Sequence, residues 1–123
     1  MQLRFVDTDV TTHETPLLAV PIAEGADVAS KPLADLDAAL DGALGRALSS
    51  GDMRGRSGDE VFLYGSGTGP ARVILLGVGT SGKVDAEGVR RMAGRAVRAA
   101  EKLRLTTVSI LLDGLDAVAA EQS

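Results

Sequence analysis

Hydrophobic residues in this chain occur either in short continuous runs or at helical spacing. The runs Leu3–Val6 and Pro16–Ala23 predict two strands, and Thr106–Asp113, rich in β-branched residues, predicts another. The second run is apolar at every position, as is typical of a strand covered on both faces. Glu60–Tyr64 and Arg72–Leu76 predict a hairpin. The residues that favour a loop between its strands are Gly65, Gly67, Gly69 and Pro70.

Two longer segments have the three-and-four spacing of amphipathic helices. We predict that the first is one continuous helix from Ser30 as N-cap to Gly51 as its stop, with Pro32 in the first turn. Its apolar stripe consists of Leu33, Leu36, Leu40, Leu44 and Leu48. Asp35 and Asp37 near its start favour an interaction with the helix dipole over a role as metal ligands.

The second helix is predicted over about Asp85 to Leu103, and residues from Gly114 onward begin another. The predicted buried face of the second helix consists of Val89, Met92, Ala93, Ala96, Val97, Ala100 and Leu103. The resulting order, β-β-α-β-β-α-β-(α), predicts an α/β fold in which helices cover both faces of a mixed sheet.

Length and composition limit the possible functions. A chain of 123 residues is long enough for one domain with a real core, and the absence of cysteine excludes disulfides and cysteine-type zinc sites. The net charge of −4 gives no electrostatic reason for nucleic acid as the main partner. The N-terminus does not resemble a signal peptide, and no apolar run approaches the roughly 20 residues that span a bilayer, so we expect a soluble, cytoplasmic protein. The single histidine, His13, lies in a polar stretch and is expected to be solvated.

Gly77, Gly79 and Gly82 have the G-x-G-x-x-G spacing of a dinucleotide-binding loop, after a strand and before a helix. In such a loop the third glycine opens the helix, whereas here the expected N-cap is Asp85, whose charge repels phosphate. The acidic residue expected about 20 positions further on is also misplaced, because Asp113 lies 31 residues beyond Gly82. The glycines therefore favour a tight strand-to-helix turn, with nucleotide binding as the weaker alternative.

One ordered set of motifs is more informative than the glycines. A helix ends in "LSSGDMRGRSGD", and after a short strand come "RVILLGVG", then "DAEGVRRMAGRAVRAAEKL", and then an apolar strand. From about Leu17 to Asp113 this order resembles the N-terminal domain of the leucyl aminopeptidase (cytosol aminopeptidase) family. The resemblance implies a three-layer α/β/α sandwich similar to macro domains, and it makes residues 1–123 a single N-terminal accessory domain, a fragment of a larger enzyme.

The resemblance also implies what the rest of such an enzyme does. In this family a separate catalytic domain carries two divalent metal ions (Mn or Zn) and releases N-terminal amino acids from peptides. Its signatures, a "GKG" stretch followed by "FDSGG" and later "NTDAEGR", do not occur in this sequence, and "VDAEGVRR" lacks the leading "NT". We therefore expect no catalytic, cofactor or metal residue here, and partners that are the catalytic domain and the other subunits of a hexamer. The alternative is a macro-type module that binds ADP-ribose or a related nucleotide.

The helix over Asp85–Leu103 also has a basic side, formed by Arg90, Arg91, Arg95, Arg98 and Lys102. Four of these share one face and form a candidate contact surface: Arg91, Arg95, Arg98 and Lys102. A solvated face is the simplest interpretation, ahead of contact with an acidic protein. Nucleic acid ranks last, although bacterial members of the family that this chain resembles also bind DNA, because the chain is acidic and has few aromatic residues.

Overall fold

The protein was analysed as a computed structural model that describes residues 2–6, 15–26, 28–29, 33–65, 69–79 and 86–111. These residues form five strands and three helices. The strands are β1 (Gln2–Val6), β2 (Leu18–Ala23), β3 (Glu60–Tyr64), β4 (Arg72–Gly79) and β5 (Thr107–Leu111). The helices are α1 (Leu33–Ala39), α2 (Ala43–Ser50) and α3 (Ala86–Lys102).

The strands form one mixed sheet in the order β1-β5-β2-β4-β3. The first four strands in this order are parallel, and β3 is antiparallel to β4, with Phe62 opposite Ile74. The predicted hairpin is therefore confirmed, although β4 continues to Gly79, three residues past the predicted end. The parallel strands bring the ends of β2 and β4 to one edge of the sheet, which we call the carboxyl edge.

Two hydrophobic clusters lie on opposite faces of the sheet, because β2 and β4 send apolar side chains to both sides. Leu18, Val20 and Leu75 belong to the cluster under α1 and α2, whereas Ala19 and Leu76 belong to the cluster under α3. Six of the seven residues of the predicted buried face are confirmed: Val89, Met92, Ala96 and Ala100 are buried, and Ala93 and Val97 pack partly buried against the core. The seventh, Leu103, follows the end of α3, is partly exposed and belongs to neither cluster. The result is the predicted α/β fold, with helices on both faces of a five-stranded mixed sheet.

The prediction of one continuous helix before Gly51 is wrong, because the leucine-rich segment forms two helices. The chain turns at Asp41 and Gly42, whose φ angles are 55° and 80°, values that a right-handed helix does not allow. The Asp37 carboxylate spans the break, where its Oδ1 accepts a hydrogen bond of 2.8 Å from the backbone N–H of Gly45. Asp37 thus stabilises the start of α2 through a direct hydrogen bond. Gly51 ends α2 in the left-handed conformation, as predicted.

The leucine stripe survives this break because both short helices lie on the same face of the sheet. Leu36, Leu40 and Leu44 are buried, and Leu33 and Leu48 pack partly buried against the same cluster. The expected N-cap Ser30, His13, and the helix expected from Gly114 lie outside the described residues.

Candidate functional site

The carboxyl edge is where ligands bind in open α/β sheets, so a ligand site would need free polar groups there. Over β2 and β4 this edge is covered by the segment Gly51–Asp59, which we call the edge loop. The Gly79 N–H donates a 2.7 Å hydrogen bond to the carbonyl oxygen of Gly55, and the Gly77 N–H donates one of 2.8 Å to that of Asp59. The Glu24 N–H in turn donates to the Gly79 carbonyl at 2.8 Å. Among the described residues at this edge, the amides of Gly77, Gly79 and Glu24 are therefore already hydrogen-bonded within the chain.

The glycines of this region are explained by the contact between the edge loop and the strands. A Cβ on Gly77 would overlap the backbone oxygen of Arg56, and a Cβ on Gly55 would overlap the backbone oxygen of Ala23. Gly55 and Gly79 also have φ angles of 82° and 87°, in the left-handed region that favours glycine. The first two glycines of the dinucleotide-like spacing thus serve chain packing and backbone conformation. The third, Gly82, lies outside the described residues, as does Asp85.

The edge loop is organised by one carboxylate and one buried side chain. Oδ2 of Asp59 accepts hydrogen bonds of 3.2 Å from the backbone N–H groups of both Arg54 and Arg56. Met53 is 1% exposed and packs into the cluster under α1 and α2. The loop is therefore anchored to the core through Met53, although most of its residues are exposed. The segment "GDMRGRSGD" thus closes this part of the carboxyl edge.

Arg95 joins α3 to the same region. Its guanidinium donates to the carbonyl oxygens of Gly77 at 3.0 Å and Asp59 at 2.7 Å, and pairs with the Glu60 carboxylate at 3.1 Å. Only 17% of its side chain is exposed. The planar guanidinium can serve three acceptors at once, which suits this junction of helix, loop and hairpin.

The helical spacing placed Arg95 with the exposed cations, and it did not reveal this role. A weak signal was available, since Arg95 is three residues from the buried Met92 and therefore borders the apolar stripe. Asp59 and Gly55 were missed as site residues for a different reason. Their partners Gly77 and Gly79 lie in β4, and only the pairing of β3 with β4 brings these positions close.

The remaining cations of the predicted contact surface are exposed. Arg98 and Lys102, together with Arg95, line a groove of about 360 Å³ between α3 and β3. Its apolar lining consists of Val61, Phe62, Ile74, Ala99 and Leu103. Arg91 is exposed but does not line the groove. The structure thus brings three of the four predicted cations together beside an apolar surface.

No group of three or more histidine, aspartate or glutamate side chains within the described ranges could hold a metal ion. Among the described carboxylates, Asp37 bonds to the start of α2, Asp59 bonds to backbone N–H groups of the edge loop, and Glu60 pairs with Arg95. In the same part of the chain, none of the helices has the length and apolar character needed to cross a membrane.

Replacement of Arg95 tests whether its hydrogen bonds hold α3 against β4 and the edge loop. We expect Arg95→Ala to lower the free energy of unfolding by about 1.5–3 kcal/mol, because hydrogen bonds from a charged donor are lost at partly buried acceptors. Arg98→Ala, one turn along the same helix but exposed, should stay within about 0.5 kcal/mol of the wild type. Urea unfolding of both variants measures the difference, and equal effects would contradict the role given to Arg95.

The family comparisons agree with the motifs and the fold. Residues 19–122 match the model described as "Cytosol aminopeptidase family, N-terminal domain". Probable cytosol aminopeptidases of Acidobacterium capsulatum and Caulobacter vibrioides are 31% and 33% identical to this chain, which is covered completely. The matched parts are 27% and 25% of those proteins, so the chain spans about a quarter of their length.

A solved structure supports the same relationship in three dimensions. A mutant of tomato leucine aminopeptidase superposes with a TM-score of 0.72 and 28% identity, over 97% of this chain and 25% of that one. A relative from Acidithiobacillus ferrooxidans, also a probable cytosol aminopeptidase, is 38% identical over 84% of the chain. The motif order, the five-stranded mixed sheet and these matches lead to one conclusion. The chain belongs to the cytosol aminopeptidase family, and the part of that family that it matches is the N-terminal domain.

Proposed function

We propose that this chain is the N-terminal accessory domain of a two-metal leucyl-type aminopeptidase and has an architectural role. Its partners are then a catalytic domain of the same enzyme and the other subunits of a hexamer, in the cytoplasm. The matched relatives are named cytosol aminopeptidases, and the region matched is a quarter of their length, which supports a division of labour between domains. The domain would shape the assembly and the access of peptides to the active sites.

The observation that carries the architectural role is the closure of the carboxyl edge by the edge loop. A binding module of the macro type needs free backbone amides at this edge to receive the phosphates of ADP-ribose. Here the N–H groups of Gly77 and Gly79 already donate hydrogen bonds to the backbone carbonyl oxygens of Asp59 and Gly55. This arrangement favours a structural element over a nucleotide site.

We further propose that no catalytic or metal-binding residue lies in this chain, and that the two divalent ions (Mn or Zn) belong to the catalytic domain. Two-metal hydrolysis needs several carboxylates that converge on ions about 3.5–4 Å apart. Within the described residues, no group of three or more histidine, aspartate or glutamate side chains could hold a metal ion. Asp37, Asp59 and Glu60 instead interact with nearby backbone groups or with Arg95. Peptides are substrates of the parent enzyme and not of this domain.

An activity assay tests this proposal. The purified chain should not hydrolyse leucine-p-nitroanilide, with or without added Mn²⁺ or Zn²⁺, because it lacks the ligands and the catalytic motifs. An intact cytosol aminopeptidase, assayed in the same buffers, shows that the conditions support turnover. Hydrolysis by the chain that survives repurification and disappears with a chelator would overturn the proposal.

A further inference from the structure

We propose that the outer edge of β3 is a self-association surface, on which two copies of this chain pair their β3 strands antiparallel about a twofold axis at Phe62. Within the described residues, β3 is an edge strand, hydrogen-bonded on one side to β4. An edge strand offers a row of backbone donors and acceptors to another strand. The inference goes beyond the proposed function, since the surface belongs wholly to this domain.

The register of the hairpin shows which backbone groups face outward. The Gly65 N–H donates to the Ala71 carbonyl, and the Gly77 N–H donates to the Asp59 carbonyl, so odd-numbered residues of β3 face β4. Because bonded and non-bonded pairs alternate in an antiparallel ladder, the N–H and C=O groups of the even-numbered residues point away from β4. These residues are Glu60, Phe62 and Tyr64. The outer edge of β3 therefore presents the backbone N–H and C=O groups of three residues, at every second position, as pairing with another antiparallel strand requires.

The side chains of the same three residues lie on the α3 face, beside the groove. Tyr64 is 71% exposed, and its ring packs edge-on against Phe62 with 5.2 Å between the ring centroids. A strand added to this edge would cover the Tyr64 ring and the apolar side of the groove. Burial of aromatic surface would thus accompany the new backbone hydrogen bonds.

Charge favours a second copy of β3 as the occupant. With the axis at Phe62, Glu60 of one copy lies beside Tyr64 of the other. Arg95 contacts Gly77 at the carboxyl edge, and α3 runs from there in the direction opposite to β4. Lys102, seven residues further along α3, therefore lies toward the end of β3 at which Tyr64 is located. Oε1 of Glu60 pairs with Arg95 of its own chain, but the Glu60 side chain remains 49% exposed. It would therefore approach Lys102 of the other copy, and Lys102 has no ion pair among the described residues. The twofold arrangement matches each acidic end of β3 with the basic part of the facing groove.

The opposite edge of the sheet lacks this complementarity. The strand β1 has Arg4 at its centre, so an equivalent twofold pairing would place two arginines directly opposite each other, which is destabilising. The centre of β3 is Phe62, and the two phenylalanines would pair without charge repulsion. Of the two edges, β3 is therefore the one suited to self-pairing. An interface of this small size predicts a dimer with a Kd on the order of 10–100 μM.

Cysteine cross-linking tests both the pairing and its register, because the chain has no native cysteine. Glu60→Cys and Tyr64→Cys are made in separate chains, one carrying a tag that changes its mass, and are mixed under mild oxidation. In the proposed dimer, residue 60 of one copy and residue 64 of the other form a hydrogen-bonded pair of the antiparallel ladder. Their Cα atoms would be about 5.5 Å apart, a distance that a disulfide can span. Copies of the same position are about 13 Å apart along the strands, which is too far.

We expect the mixed disulfide to dominate over both disulfides between identical variants, and its rate to rise with protein concentration. Sedimentation of the wild-type chain should show a monomer–dimer equilibrium. Tyr64→Ala should weaken association because it removes the aromatic surface, and Tyr64→Pro should weaken it further because it also removes an outward N–H. A chain that stays monomeric throughout the concentration series would overturn the proposal. Random formation of all three disulfides would do the same, since it would show contact without the predicted register.

Discussion

Gly55→Ala is expected to be among the most damaging single substitutions in this domain. The new Cβ would overlap the backbone oxygen of Ala23, and backbone atoms at a strand end cannot move aside as a flexible side chain can. The φ angle of 82° adds the cost of a left-handed conformation for a residue with a side chain. Together these effects should lower the free energy of unfolding by about 2–5 kcal/mol. Urea unfolding measures the loss.

Gly58→Ala is the matched control, since it lies in the same loop and also has a positive φ, of 98°, but has open space around its Cβ position. Its free energy of unfolding should fall only by the cost of placing a side chain in the left-handed conformation, about 1–2 kcal/mol. The difference between the two variants isolates the contact between the edge loop and β2. If both variants lost the same amount, the loop would not be packed against the strand as described.

Ala96→Asp has the second large expected effect. Ala96 is 0% exposed in the cluster under α3, so the substitution would place a carboxylate among apolar side chains without a partner. A buried unpaired charge of this kind costs several kcal/mol, against a total stability of about 5–15 kcal/mol, and we expect severe destabilisation or failure to fold. Thermal melting followed by circular dichroism reports the loss.

Two further variants keep this prediction interpretable if Ala96→Asp does not fold. Ala96→Ser adds a hydroxyl that can bond to the preceding turn of the helix, so it should be much milder. Arg91→Ala changes an exposed residue of the same helix and should stay within about 0.5 kcal/mol. A harmless Ala96→Asp beside a damaging Arg91→Ala would mean that the helix presents its other face to the sheet.

The sequence predicted the sheet and α3 well because their signals are local and strong. Continuous apolar runs such as Leu17–Ile22 and Val73–Leu76 can be satisfied only between two covering layers, and the stripe Val89–Ala100 has one dominant period. The order of the strands was not predicted, because no local pattern tells whether β5 inserts between β1 and β2. The order of the elements predicted the fold class, with helices on both faces of a mixed sheet, and the structure confirms it.

The break between α1 and α2 was missed because the leucine period continues through it. The dipeptide Asp41–Gly42 is a turn signal, and it was outweighed by five leucines in phase. The phase is kept because the intervening turn is short, so Leu40 and Leu44 still face the same side of the sheet. An apolar stripe therefore reports which face is buried more reliably than it reports helix continuity.

The candidate site was predicted in part. The sequence favoured a structural role for Gly77 and Gly79 over nucleotide binding, but it did not reveal which segment packs against them. The partners of Gly77 and Gly79 are Asp59 and Gly55, which lie 18 and 24 residues away in the sequence. Such contacts depend on the antiparallel return of β3 beside β4, which brings the edge loop onto the carboxyl edge.

Calorimetric titration with ADP-ribose and with NAD tests whether the edge loop closes the carboxyl edge over β2 and β4. We expect no saturable heat with either ligand, since the amides of Gly77 and Gly79 are already hydrogen-bonded within the chain. Saturable binding tighter than about 100 μM, or about −5.5 kcal/mol, that is abolished by Gly79→Val would contradict it. The edge would then be a nucleotide site, and the domain a binding module of the macro type.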